Sequence, residues 1–349
     1  MDNISYGLIG FSRLLEDEDD KNLFEGISKS EYNQLVNESV DGANKRVSEL
    51  ILHNINLVKN IINKCSEVGI RHFRLPNTFL CVNVLDLDLE GLHHYKEIEE
   101  GLKEIGALSR ARAVSLSVNV DPLTSLVGTE STVNSGIKEL EFFGKIFNIM
   151  GLVNNATNPI VMTLSEPEES DLTIYIDEFY DNYKRLDSQT KKRLTIQNSH
   201  KGTWSSINLF KYAHVYLLEQ YEEVIPLVYN LQSDVTNPST LNGDAVPIEV
   251  NVGAFNATWQ GKVPVFCWTE LDENLKIKDT LSESINDFGF FIKWECDVKG
   301  KDIAIFELLH PDNQRKISEE LINEIVGATY KKAEKNYQDY KEFNTLYNR

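Results

Sequence analysis

The stretch PIVMTLSEPEESDLTIYIDEFYDNYKRLDSQTKKRLTIQNSHK, residues 159–201, reads as one complete β–α–β unit. Residues 159–164 form a short, nearly continuous apolar run, and 193–197 (Arg-Leu-Thr-Ile-Gln) form a second. Runs of this kind suit parallel strands covered on both faces. Between them, 172–186 repeats its apolar residues at helical spacing. Working outward, the same alternation extends almost from end to end. Further strand-like runs fall at Ile4–Ile9, His72–Leu75, 113–118, 225–230, 263–268 and 291–296, which makes eight.

Amphipathic stretches separate these runs. Val47, Leu50, Ile51, Val58, Ile61 and Ile62 keep helical spacing, as do Ile137, Leu140, Phe143 and Phe147; 208–219 and 281–288 read the same way. Eight such alternations predict an α/β protein, a (β/α)8 TIM barrel over 1–312, with an extra C-terminal helix in 313–349. An open doubly wound sheet is the competing architecture. No GxGxxG follows the first strand and no P-loop sequence occurs, which argues against it.

Composition narrows the functional classes. The 349 residues are 41% hydrophobic and 26% charged, a balance that supports a sizeable core. Acidic residues outnumber basic ones 54 to 35, a net charge of −19. Nucleic-acid coats rest on cations that neutralise phosphates, so that class is disfavoured. No apolar run approaches the ~20 residues of a membrane span, and the first residues lack a signal-peptide pattern. Cys65, Cys81, Cys267 and Cys296 are far apart and form no CxxC pair. The expected setting is a reducing cytoplasm without disulfides. Residues 14–26 read as a solvated acidic connection. The terminal helix carries Tyr330, Tyr337, Tyr340 and Tyr347, which suits packing on the barrel wall, a protein partner or self-association.

Barrel active sites lie where strands end. The residues there are Thr78; Asn119 and Asp121; Thr163 and Glu166; Gln197, Asn198, His200 and Lys201; Asn230, Gln232, Ser233 and Asp234; then Cys267, Thr269, Glu270 and Glu295. This rim is rich in amides and hydroxyls. His53 and His214 fall mid-helix, His93 and His94 in a helix-like region, His72 at a strand start and His310 in a late connection, all expected as structural or surface residues. No GxSxG elbow is present, and Cys267 reads as a small core residue.

At these strand ends the chain resembles the UV-damage endonuclease (UvdE) family, metal-dependent DNA repair barrels related to endonuclease IV. The resemblance rests on Leu-Ile-Leu-His-Asn-Ile-Asn (50–56) with Glu-Val-Gly-Ile-Arg-His-Phe-Arg-Leu (67–75), on the helix at 137–152, and on Asn-Tyr-Lys-Arg-Leu (182–186) with Arg-Leu-Thr-Ile-Gln-Asn-Ser-His-Lys (193–201). Asn237-Pro238, Ala257-Thr258-Trp259 and Trp294-Glu295 also fall in register. The resemblance implies phosphodiester cleavage 5′ to a lesion, by divalent ions held on His, Glu and Asp at strand ends.

Carried over position by position, those ligands are replaced. Thr78, Asn119 and Thr163 stand for His, Gln197 for Glu, and the segment Asn230–Asp234 for an Asp-x-His-His-His run; Cys267 lies in the Lys-Ile-His segment. Glu295 is the one retained carboxylate, with Arg74 as its expected partner in the barrel mouth. Amides and hydroxyls are poor ligands for Mn²⁺ or Zn²⁺ beside imidazole and carboxylate. The expectation is therefore a silent barrel without a cofactor, with Arg74, Asn119, Asn198, Lys201, Asn230 and Glu295 as pocket candidates and a protein partner or self-association through 313–349. Two alternatives stand beside it. Asp121, Glu166, Asp234, Glu270 and Glu295 could form a rebuilt carboxylate site for Mn²⁺, Mg²⁺ or Ca²⁺. DNA could also be bound without cleavage, through a basic strip including Arg74, Lys201 and Lys262.

Overall fold

The computed structural model describes residues 4–9, 24–67, 70–81, 83, 88–241, 243–260, 262–268 and 304–308. In chain order the elements begin β1 (Ile4–Ile9), α1 (Lys29–Glu38), α2 (Val40–Glu67), β2 (His72–Leu75), α3 (Tyr95–Arg112), β3 (Ser115–Asn119), α4 (Glu130–Ile149) and β4 (Ile160–Met162). There follow α5 (Leu172–Tyr183), α6 (Ser188–Arg193), β5 (Leu194–Gln197), α7 (Ser206–Phe210) running through a π-helical turn (Lys211–Tyr216) into α8 (Leu217–Tyr221), and β6 (Leu227–Asn230). The rest are α9 (Leu231–Thr236), β7 (Thr240–Leu241), β8 (Asp244–Ala245), α10 (Ile248–Ala257), β9 (Val265–Trp268) and β10 (Ala304–Leu308). The sheet order β1-β10-β9-β6-β5-β4-β3-β2 closes on itself, the topology of a (β/α)8 barrel.

One strand differs from the sequence reading. The strand between β9 and β1 is β10, at Ala304–Leu308, whereas the sequence predicts the eighth strand at 291–296, which lies outside the described residues. Both segments are short apolar runs, and periodicity carries no information on which one a neighbouring strand selects. The terminal extension 313–349 and most of the acidic connection 14–26 also lie outside the described residues. His93 and His94 occupy the turn before α3, with His94 as its N-cap, rather than a helix. No helix among the described residues is long and apolar enough to cross a membrane.

Contacts divide the chain into two compact units. The first comprises Met1–Leu8, Glu166–Ile176 and Thr195–Arg349, the second Ile9–Ser165 and Asp177–Leu194. In the first, β1, β10, β9, β6 and β5 form a parallel ladder in which Gly7, Glu307, Cys267 and Asn230 share one register row. Trp259, just past α10, is fully buried and donates its Nε1–H to the Leu227 carbonyl at 2.8 Å. Thr258 Oγ1 accepts from the Leu227 amide at 2.9 Å. Both bonds seat α10 against the start of β6.

The second unit pairs β2 with β3 and β3 with β4, again in parallel. Helix α2 buries one face, Val47, Leu50, Ile51, Val58, Ile61 and Ile62 among it, as its spacing predicts. Each such side chain removed from water contributes about 1.5–3 kcal/mol. Gly106 of α3 lets that helix close on the Met150 carbonyl, where a Cβ would overlap backbone. His72 is buried and bridges Ser115 Oγ and Ser117 Oγ, 2.8 Å from each, which makes it the structural histidine expected.

Candidate functional site

The strand ends of the first unit converge on a buried carboxylate. Asp234, in α9, is 6% exposed. It accepts from Ser206 Oγ (2.7 Å), Tyr229 OH (2.7 Å), Ser239 Oγ (3.2 Å) and Asn251 Nδ2 (3.0 and 3.3 Å). All four donors are neutral. Burial and the neighbouring carboxylate push the Tyr229 phenol far above its usual range, so its proton stays on the donor.

The network continues outward through Asn198, which is fully buried. Its Nδ2 donates to Ser206 Oγ (3.1 Å) and the Asn230 carbonyl (3.0 Å), and its Oδ1 accepts from the Asn230 amide (2.7 Å). Asn198 thereby fastens the end of β5 to the end of β6. Asn230 caps α9, its side chain accepting from the Ser233 amide. At the next strand end the Cys267 thiol donates to Gln197 Oε1 at 3.5 Å. Sequence spacing gives no signal for this assembly, because its members come from 198 to 251 and meet only through strand pairing.

The other candidates of this unit sit apart from that network. Glu166 grips the loop after β5, accepting from the Thr203 amide (3.0 Å) and Thr203 Oγ1 (2.9 Å). Lys201 and Lys262 are exposed. Asn237 Nδ2 donates to the Ser199 and Gly202 carbonyls, a loop-holding role. Glu270 and Glu295 lie outside the described residues. The carboxylate that occupies the last barrel strand is Glu307, at the register position of Cys267, and sequence reasoning misses it. Its signal is the apolar run that surrounds it.

In the second unit Arg74 is 2% exposed and donates its Nη1–H to Asn119 Oδ1 at 2.8 Å. This bond joins two pocket candidates on neighbouring strands. Thr78 is exposed on a 3-10 turn (Asn77–Leu80), and Thr163 is half-buried. Asp121 is exposed and folds back on its own loop, Oδ1 accepting from the Leu123 amide at 2.8 Å. Among the described residues no three His, Cys, Asp or Glu side chains gather as a metal site.

The family model described as UV-endonuclease UvdE matches residues 4–331. The chain belongs to the UvdE family. Solved structures agree on the fold. The crystal structure of SacUVDE matches at TM-score 0.64 and 18% identity, over 98% of this chain and 99% of that one. Endonuclease IV from Thermus thermophilus matches at TM-score 0.50 and 10% identity, over 94% and 99%. D-Psicose 3-epimerase from Clostridium cellulolyticum matches at TM-score 0.50 and 8% identity, over 80% and 93%. At these identities the likeness is one of fold: this UvdE member is a TIM barrel. A search of curated proteins returns no match.

Proposed function

We propose that this UvdE-family barrel does not perform metal-dependent strand cleavage and serves as a non-catalytic protein-binding or structural module. The observation that carries the reading is the Arg74–Asn119 bond. At a position where the family resemblance implies a histidine ligand stands an amide whose oxygen is already taken by a guanidinium 2.8 Å away. A fixed cation at that distance opposes a divalent ion. Gln197 and Cys267 likewise satisfy one another, and Asn230 spends its side-chain oxygen on a helix cap. The donor set Thr78, Asn119, Thr163, Gln197, Asn230 and Cys267 does not fit the family's ions. Without such an ion, these residues provide no means of making hydroxide at neutral pH or of stabilising a phosphodiester's leaving oxygen.

Among carboxylates of the alternative site, Asp234 is saturated by protein donors, Glu166 is held by Thr203 and Asp121 by its own loop. The net charge of −19 favours a protein partner over DNA, with 313–349 as the contact segment.

The test combines elemental mass spectrometry, after equilibration with Mn²⁺, Mg²⁺ and Zn²⁺, with nicking of UV-irradiated plasmid. The expected result is no retained metal, no nicking above buffer and no salt-sensitive DNA retention. One or more ions per chain, with nicking that Glu307→Gln abolishes, overturns the reading.

A further inference from the structure

The loop after β3 carries an apolar tip on a rigid mount. Leu123 is 87% exposed, more than any other large hydrophobic side chain among the described residues, and Pro122 beside it is exposed too. A solitary surface aliphatic is ordinary; what distinguishes this one is its anchorage within the second unit. The tip is a β-turn, closed by the Thr124 amide on the Asp121 carbonyl (2.9 Å) and by the Leu123 amide on Asp121 Oδ1 (2.8 Å). Pro122, at the turn's second position, fixes φ there. Glu139 of α4 grips both ends, Oε1 accepting from the Asp121 amide (2.9 Å) and Oε2 from Thr124 Oγ1. Further along, Asn182 donates to the Leu126 carbonyl (2.9 Å), and the Gly128 amide donates to Glu178 (2.8 Å). Gly136 of α4 leaves room for the Ser125 carbonyl, which a Cβ there would overlap. Thr124, Ser125 and Leu126 are buried. A tip ordered in advance loses little freedom on binding, so covering Leu123 converts most of its burial into affinity.

Charge selects the occupant. The side chains that bond the loop bring acids to it: Asp121 is exposed on the turn, Glu139 lies at its base and Glu178 at its far end. Residues 113–137 contain Asp121 and Glu130 and no Lys, Arg or His. The cations alongside are Lys138, exposed and next to Glu139 in sequence, and Arg185, committed to Glu130 at 3.0 Å and to Asn182 Oδ1. Four carboxylates therefore stand against two cations. A phosphate backbone, an anionic membrane and a second copy at −19 all carry the wrong sign. We infer that the Asp121–Thr124 tip is a contact point for a basic protein segment, with Leu123 filling an apolar pocket on it and the flanking carboxylates meeting its cations. The inference rests on the protein-binding reading above and names the partner's chemistry; metal content and nicking decide that reading, and peptide affinity decides this one.

Selection of random peptides displayed on phage against the full chain, followed by fluorescence anisotropy of the synthetic peptides, tests it. The enriched peptides are expected to carry net positive charge and apolar residues, and to bind severalfold more weakly at about 500 mM than at about 50 mM NaCl. Leu123→Asp should weaken them at least about tenfold, the loss expected when one leucine leaves an interface, with an unchanged circular dichroism spectrum. Leu123→Met, and Leu218→Asp at an exposed position on α8, should stay within about twofold of the parent. No enrichment, enrichment of acidic peptides, affinity that Leu123→Asp leaves intact, or an equal loss in Leu218→Asp overturns the inference. So does duplex DNA that the parent retains and Leu123→Asp releases, which would make the tip a wedge between bases.

Discussion

Replacing Asp234 by Asn keeps the side-chain shape and removes the charge. The carboxylate now receives four neutral donors on two oxygens. An amide retains one oxygen and presents an NH₂ in place of the other. If that oxygen stays with Ser206 and Ser239, the NH₂ faces the Asn251 amide and the Tyr229 hydroxyl. Tyr229 can rotate its proton away and accept; Asn251 cannot, and a donor is stranded in a site 6% exposed. Hydrogen bonds to a charged acceptor contribute about 1.5–3 kcal/mol, and a stranded buried donor costs about 1–3 kcal/mol. Allowing for the rescued tyrosine, Asp234→Asn should cost about 3–5 kcal/mol, or roughly 4–7 °C in melting temperature for a chain of this size. Calorimetry gives the melt, and hydrogen exchange should show faster exchange of the Asn230 and Ser233 amides, which the network pins. A double-mutant cycle with Tyr229→Phe should return a coupling of about 1 kcal/mol or more. A melt within about 2 °C of the parent, with no coupling, would refute the anchor.

Three further outcomes are expected. Gly106→Ala forces α3 off the Met150 carbonyl, a backbone neighbour that cannot step aside, and should cost at least about 3 kcal/mol by chemical denaturation; a cost under about 1 kcal/mol would contradict the close approach. Burial pushes the Cys65 thiol up to about 12 and Cys81 up to about 11. The unfolded chain then loses protons from about pH 9 upward while the native one keeps them, so stability is full below that pH. Above it, stability falls by about 1.4 kcal/mol per pH unit per thiol. Urea midpoints should show the slope reduced in Cys65→Ala, and an unchanged slope would count against it. His214, in the π-helical turn, is held below its ordinary pKa by burial, and its Nδ1 has no hydrogen-bond partner among the described residues. Protons bind the unfolded chain first as pH drops through about 6.5, so stability falls toward acid. His214→Phe should flatten that limb of the profile, and an equally steep limb in the variant would exclude His214 as its source.

The strand-end amides are legible in the sequence because the barrel's β–α alternation places them, one loop at a time. Their partners are not. The sequence suggests Glu295 as the partner of Arg74, yet its described partner is Asn119, which lies 45 residues along the chain and one strand across. Asp234 reads from the sequence as a candidate ligand, and its four donors come from α7, β6, the turn before β7 and α10. Glu307 escapes notice for the same reason that 291–296 reads as the last strand. Two apolar runs compete there on equal local evidence.

The division follows from the range of the interactions. Periodicity and strand-end polarity are properties of a few consecutive residues, so the sequence by itself determined the repeating β–α unit, the buried face of α2, the neutral chemistry of the rim and its family likeness. Register, and with it the choice of β10, depends on which strand lies alongside. The saturation of Asp234 and the pairing of Arg74 with Asn119 depend on side chains brought within 3 Å of one another by strand pairing and loop closure. Only the tertiary structure could decide those.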